Sequence, residues 1–403
     1  MQRQIFLVLL CSTIALWGQD KVANGMRPHG DGKTLAFKAE LQFGSDEEDE
    51  NYLWPLSNTD IAVDDKGNVF VANTKDNKIA MFDGTGAFVK NVTIEGQGPG
   101  EIQALISFQI LADGRGVVLE GKPGIIPSFS YFDKDMKFVK KVSHQGGFFP
   151  VFALLSPDGN IFGARVLSLD MASNSMLTRF GLLAMEPEAF VAELSQYSQK
   201  TNFAQFEDPA VLSSFIGDML KGQYSQTGHY AFDSKGHVFT AVSKQYEITR
   251  WSPDAKVKEM VITREYKPMP LSDDEILAAA DAASEEFRGT PFESMINDQF
   301  LKHVAARADL PPVKSPIAGL LCLPEGQLLV IRLKNALTGS QQADVFDEKG
   351  AFIAQVSKEN WAFVSPTGQQ RMVFRNQRAY TLETDNNGDN RVVRYSYSWE
   401  TAP

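Results

Sequence analysis

The chain has 403 residues, 43% of them hydrophobic and 22% charged; 39 Lys and Arg against 50 Asp and Glu give a formal charge of −11. That balance is globular, and it excludes overall disorder, a collagen-like repeat and a polytopic membrane protein. A net acidic chain has no broad attraction for phosphate backbones, which argues against nucleic acid as a partner.

Residues 1–18 read MQRQIFLVLLCSTIALWG, with Arg3 ahead of an apolar run from Ile5 to Gly18. The run is short for a membrane span of about 20 residues, and the pattern is that of a secretory signal peptide cut after Ala15 or Gly18. The expected address is periplasmic or extracellular. Membrane attachment would come only from an uncleaved N-terminus or from lipidation at Cys11, where Leu10 stands in place of the small residue that lipidation wants. Residues 19–403 are expected to form a single domain. Loss of Cys11 leaves Cys322 alone, so no intrachain disulfide forms and stability comes from the core. Cys322 lies in the apolar strand GLLCLPEG and reads as an inert thiol.

The first clear unit is 60–95: DIAVDDKG, NVFVANTKDN, KIAMFDGTG, AFVKNVTIE. Each piece is a short β-rich run closed by Asp, Asn or Gly, which predicts four strands joined by tight hairpins. Such a sheet cannot bury both faces alone and must stack on others like it. The pattern returns at 108–144, 151–197, 228–266 and 317–359. The first turn of each unit is expected to be anchored by Gly67, Gly116, Gly159, Gly236 and Gly326, spaced 49, 43, 77 and 90 residues apart. The first two spacings match a propeller blade; the last two add an insertion. A sixth unit at 371–400 has three strands, and TLAFKAELQFG (34–44) supplies its fourth. The expected fold is an all-β, six-bladed propeller closed by pairing of the N-terminal strand with the C-terminal blade.

Two insertions interrupt the period. At 198–227, Asp208 caps and Pro209 begins a helix through PAVLSSFIGDML. At 271–310, Ser272 and Glu275 form a capping box before EILAAADAASEEF. Thr290, Pro291 and Glu293 are expected to open a second helix reaching about Arg307. Ile276, Ala279 and Ala280 share one face, and Phe292, Met295, Ile296 and Gln299 begin another. The apolar faces predict packing on the rim or outside of the disc, with a lid over the central opening as the other arrangement.

DIAVDDKGNVFVANTKDNKIAMFDGTGAFVKNV followed by GQGPGEI (96–102) resembles the NHL-repeat six-bladed β-propellers, especially exported bacterial ones. TREYKPMPLSDDE (263–275) is also similar to a segment of such proteins. The resemblance is strongest over 58–145 and absent from the insertions. It implies a fold and export, and little about chemistry. It also implies that a divalent ion in the central channel deserves testing, because lyases and lactonases with related folds bind zinc or calcium there.

In a propeller, loops from the outer strand of one blade to the inner strand of the next ring the channel, so function is expected there. The candidates are Trp54, Asn58 and Asp60; Gln97, Glu101 and Gln103; His144, Gln145 and Phe148; Tyr224 and His229; Lys314 and Ser315; and Trp361 and Ser365. From these, Trp54, Asn58, Glu101, Gln103, His144, His229, Lys314 and Trp361 are the expected ligand-binding set. The alternative is that Glu101 and Gln103 satisfy turn amides while His144 and His229 are solvated.

No HxH, HExxH, CxxC, GxSxG or SxxK occurs, so no metal or catalytic residue is assigned. Glu101, His144 and His229 could converge on a calcium or zinc ion in the channel. DNNGDN (385–390) starts like a calcium loop, but Asn390 and Ser396 stand where an EF-hand needs Gly and Glu, so it reads as a hairpin turn. SDEEDE (45–50) reads as a solvated charge run. GQGPGEI joins strand to strand and is a turn, not a phosphate cradle. The expected function is a non-catalytic binding module for a protein, peptide or glycan. A divalent-metal lyase or lactonase and a subunit of an envelope or extracellular assembly are the alternatives.

Overall fold

A computed structural model describes residues 20–401, apart from 30–31, 45–48, 53, 55–58, 123–124, 145–148, 171, 186–188, 201–204, 285–286, 288–289, 336–339, 358–362, 364–370 and 385–389. The expected signal peptide therefore lies outside the described residues. So do Asn58, Gln145, Phe148, Trp361, Ser365, most of the 45–50 charge run and most of the 385–390 turn.

The architecture is all-β and propeller-like. Two strands, β1 (Asp20–Asn24) and β2 (Lys33–Phe43), precede the first sheet. That sheet is an antiparallel meander of β3 (Thr59–Val63), β4 (Val69–Asn73), β5 (Lys78–Phe82) and β6 (Phe88–Thr93). The second meander holds β7 (Leu105–Ile110), β8 (Gly116–Lys122), β9 (Ile125–Phe132) and β10 (Phe138–Ser143). The third holds β11 (Phe149–Leu155), β12 (Ile161–Asp170), β13 (Ser175–Ala184) and β14 (Ala189–Lys200). The fourth holds β15 (Gly228–Phe232), β16 (Val238–Val242), β17 (Glu247–Trp251) and β18 (Lys258–Arg264), and β1 adds to its edge in parallel, Asp20 opposite Met260 through Asn24 opposite Arg264.

The remaining strands are β19 (Gly319–Cys322), β20 (Leu328–Asn335), β21 (Ser340–Phe346), β22 (Phe352–Ser357), β23 (Met372–Arg375), β24 (Arg378–Thr384) and β25 (Asn390–Thr401). With β2 they form an eight-stranded sheet in the order β19-β20-β21-β22-β2-β25-β24-β23. Its two halves meet through one parallel residue pair, Lys33 with Ala354, whereas β2 lies antiparallel along β25 from Lys33–Thr401 to Phe43–Val392.

Apolar faces explain why the sheets stack. Phe70 and Ile79 of the first sheet pack with Phe108 and Phe132 of the second. Leu119 and Phe129 meet Phe162 and Val166 of the third, and Phe180 and Leu182 meet Tyr230 and Val238 of the fourth. Ile248 and Ile262 then meet Val330 and Phe346, while Ile331 and Val345 meet Leu35, Ala379 and Val393. Finally Tyr380, Leu382 and Val392 meet Ile61, Val71 and Phe82 of the first sheet. The chain of contacts returns to its start, so every apolar sheet face finds a partner.

The helices come from both insertions and share one core. Helix α1 (Pro209–Gln226) starts at Asp208, whose carboxylate accepts from Ala210 N. Helix α2 (Asp273–Ser284) has the Ser272–Glu275 capping box. Helix α3 is shorter than the sequence pattern suggested: it spans Asp298–Ala308. The Thr290 hydroxyl accepts from Phe292 N and donates to Phe287 O, a 3-10 turn occupies Glu293–Met295, and Asn297 is the true cap, accepting from Phe300 N. Leu212, Ile216, Ala280, Phe300 and Val304 are buried among the three helices. The bundle sits against the third sheet, where Tyr197 of β14 fills the space left by Gly222 of α1.

One turn also differs from the sequence pattern. In the second sheet the left-handed glycine is Gly114, at φ 84°, while Gly116 already begins β8. The matching glycines elsewhere are Gly67, Gly159, Gly236 and Gly326, at φ between 78° and 93°, where a side chain would be strained.

Candidate functional site

Each sheet run opens with a strand lying toward the centre: β3, β7, β11, β15, β19 and β23. Together they line one cavity of about 490 Å³. It runs from the level of Asp60, Ser107 and Phe152 to the first hairpin turns, at Asp65, Ala112, Pro157, Ser234, Pro324 and Asn376. The loops that enter the inner strands lie at the opposite ends of those strands.

Most polar groups in this wall are engaged. Arg375 Nη2 lies 2.7 Å from Asp65 Oδ1, and Asn376 Nδ2 donates to Asp65 O, which joins the last inner strand to the first. Gln109 bridges β7 to β11, donating to Ala153 O and accepting from Leu155 N. Asp233 accepts from the turn amides of Lys235 and His237 and lies 2.8 Å from His237 Nδ1. The Cys322 thiol lines the cavity, and burial together with nearby Asp233 pushes its pKa well above the usual thiol value, so it is a poor nucleophile.

Asp60 differs. Among the described residues its carboxylate accepts only from the adjacent Ile61 N, at 3.0 Å. It is half-buried and lines the cavity. Loss of hydration raises its pKa from 3.8 to about 7, against a small opposing effect of the Ile61 amide. Ser107, on the neighbouring inner strand, is 4% exposed, and its hydroxyl bonds to no described residue.

Of the loop residues named from sequence, Asp60 lines this cavity, whereas Trp54, Glu101, Gln103, His144, His229 and Lys314 are not in its wall; Asn58 and Trp361 lie outside the described residues. Trp54 is buried among Phe43, Tyr52 and Phe82, with its indole N–H donating to Asn51 O. The Glu101 carboxylate folds back on GQGPGEI and accepts from Gly98 N at 2.7 Å, leaving no room for a Cβ at Gly96. Gln103 donates its backbone N–H to Glu120 Oε2. His144 is 8% exposed, and its backbone N–H donates to Pro127 O. His229 is buried on β15, bonded to Ser243 Oγ at 2.9 Å; burial lowers its pKa from 6.5 to about 4, against a bond to the Ile317 backbone. Lys314 is buried and lies 2.7 Å from Glu275 Oε1.

No family model matches the chain, and no curated protein matches it. Among solved structures, a member of the duf4221 family from Bacteroides vulgatus is 9% identical, covering 93% of this chain and 100% of that one, with a TM-score of 0.49. An exported-protein candidate from Bacteroides fragilis is 11% identical over 95% of this chain and 100% of that one, with a TM-score of 0.47. A gluconolactonase from Xanthomonas campestris is 9% identical over 92% and 97%, with a TM-score of 0.37.

The calcium or zinc set considered from sequence was Glu101, His144 and His229. Glu101 is turned onto its own loop and His229 onto Ser243. Among the described residues no group of three or more His, Cys, Asp and Glu side chains is placed to hold a metal. As described, these three residues do not form the converging ligand set that such an ion needs.

Sequence reasoning placed Asp60 among the loop candidates and overlooked Ser107. A signal was available. The residue seven places before each turn glycine is Asp60, Ser107, Phe152, His229 or Gly319, so one count brings equivalent inner-strand positions together. Glu120 was also missed. It is fully buried on β8, bonded to Ser130 Oγ and 3.0 Å from Lys141 Nζ, so its charge is compensated.

Proposed function

We propose that the chain is an exported six-bladed β-propeller of the NHL-repeat type that binds a ligand or partner without transforming it. The observation that carries this reading is the central cavity, walled by the first strand of every sheet run and holding Asp60, whose carboxylate, among the described residues, bonds only to the Ile61 amide. The blade count rests on the near-division of the eight-stranded sheet, whose halves share a single residue pair. With β2 counted beside β25, each half has four strands, like the first three sheets. Export rests on the sequence of residues 1–18.

Glu101 and Gln103 keep partly accessible side chains and are the proposed contacts for a protein, peptide or glycan on the loop face. Trp54, His144, His229 and Lys314, all buried, would hold those loops in shape. The test is binding of the purified chain to a glycan array and a peptide library, alongside lactone hydrolysis in calcium- or zinc-supplemented buffer. Saturable binding without turnover is expected. Saturable turnover that ends with chelator would establish the lyase or lactonase reading instead.

A further inference from the structure

We propose that the central cavity binds a small organic ammonium compound, with the Asp60 carboxylate as counter-ion and the Ser107 hydroxyl as a second acceptor. This rests on the binding-protein reading above.

Among the described residues lining the cavity, Asp60 is the carboxylate with neither an ion pair nor a side-chain hydrogen bond: Asp65 pairs with Arg375, and Asp233 is bound by its own turn and hydrogen-bonds His237. A carboxylate held away from water is costly to ionise unless a positive group meets it, and a cationic ligand supplies that group. Ser107 sits at the equivalent position one sheet along, with its hydroxyl left unbonded by the described residues. Two such side chains offer three oxygens, short of the six to eight that calcium takes, but they suit an N–H donor. Phe152, at the next equivalent position, is half-buried in the same wall, and Phe232 and Phe374 line it further along. Aromatic groups near an ammonium favour both its charge and its hydrocarbon body. A cavity of about 490 Å³ takes a compound the size of a single ring with its substituents.

The probes are cyclohexylammonium and its neutral counterpart cyclohexanol, titrated calorimetrically into the purified chain at pH 5.5 and pH 8.5. The ammonium stays charged over this range while Asp60 passes from protonated to ionised, so its affinity should rise roughly tenfold or more. Cyclohexanol should bind more weakly than the ammonium at pH 8.5 and show no such rise. Asp60→Asn should erase the preference for the ammonium, and Ser107→Ala should weaken it by a smaller factor. Circular dichroism would confirm that both variants fold. Equal binding of the two probes, or an Asp60→Asn chain that keeps the preference, overturns the Asp60 assignment and leaves the binding-protein reading standing. Failure of the wild-type chain to bind either probe at millimolar concentration overturns the proposal; failure on the glycan array and peptide library as well removes the reading beneath it.

Discussion

Lys314 Nζ lies 2.7 Å from Glu275 Oε1, and the two side chains are only 7% and 6% exposed. The pair joins the N-terminus of α2 to the stem of its own insertion, where Pro270 bridges Val313 and Lys314 N donates to Met269 O. Glu275 also closes the capping box on Ser272, so one carboxylate fixes the helix start and neutralises a buried ammonium. Removing the acid takes away the carboxylate 2.7 Å from the buried lysine. Glu275→Ala should lower unfolding free energy by about 3–5 kcal/mol, the range for breaking a buried pair from one side. Urea denaturation measures it, and a loss below about 1 kcal/mol would mean that the lysine finds water or another acceptor.

Asn24 does comparable work for the N-terminal strand. Its amide donates to Thr263 O at 3.1 Å and Gly350 O at 3.0 Å, and its carbonyl accepts from Phe352 N at 2.8 Å. One buried side chain therefore stitches β1 to the fourth sheet and to β22 beyond it. Asn24→Ala leaves buried backbone groups without partners, at about 1–3 kcal/mol for the first of them. Amide hydrogen exchange should quicken at Val22 and Phe352 and stay unchanged at Phe70 in the first sheet. Unchanged exchange at Val22 would show that the strand is held by its backbone ladder alone.

The closing strand separates burial from surface charge. Leu35 of β2 is 3% exposed and packs in the core with Ile331 and Val393. Glu40, further along β2, pairs with Arg378 at 2.8 Å and Arg394 at 3.3 Å in a well-solvated place. Leu35→Ala should cost about 2–4 kcal/mol through lost burial and a residual cavity. Glu40→Ala should cost less than about 1 kcal/mol even though it breaks two ion pairs. Chemical denaturation of both variants checks the order; a larger loss for Glu40→Ala would reverse the argument.

Much of the fold was legible because hairpins are local. The glycine turns and β-rich runs mark the sheets, and 34–44 stands out as an alternating strand at the opposite end of the chain from the three-strand unit that lacks one; β2 does pair with β25. Strand β1 was not legible. DKVAN has five residues and no apolar alternation, and its partner Met260 is remote in sequence. The start of α3 was misjudged because Thr290 and Asn297 both carry capping side chains, and only packing decides which one the helix uses. The chemistry of the cavity was hardest to see. Loop residues such as Glu101 and Lys314 look available in a sequence, yet Glu101 bonds to its own loop and Lys314 to a helix of the insertion. Asp60 looks like one more strand-end acid until equivalent positions are counted back from the turns.

Asp60 and His229 occupy equivalent inner-strand positions, and their proton affinities move apart. Burial raises the Asp60 pKa from 3.8 to about 7 and lowers that of His229 from 6.5 to about 4. For Asp60 the folded state holds the proton more tightly than the unfolded chain. Its penalty is absent below pH 4, grows between pH 4 and 7 and is complete above pH 7, reaching up to about 4 kcal/mol. For His229 the folded state resists the proton. Its penalty is absent above pH 6.5 and grows as pH falls toward 4, reaching up to about 3 kcal/mol. The two slopes oppose each other across the same window, so in the wild-type chain they largely cancel. Relative to wild type, Asp60→Asn should gain stability at pH 7.5 and lose that advantage toward pH 4.5. His229→Gln should show its relative gain at pH 4.5, after any constant cost of losing the Ser243 bond. Guanidinium denaturation at four pH values between 4.5 and 7.5 resolves both profiles. An Asp60→Asn curve running parallel to wild type would show that the carboxylate is hydrated or paired in the folded chain, and the cavity would lose its charge.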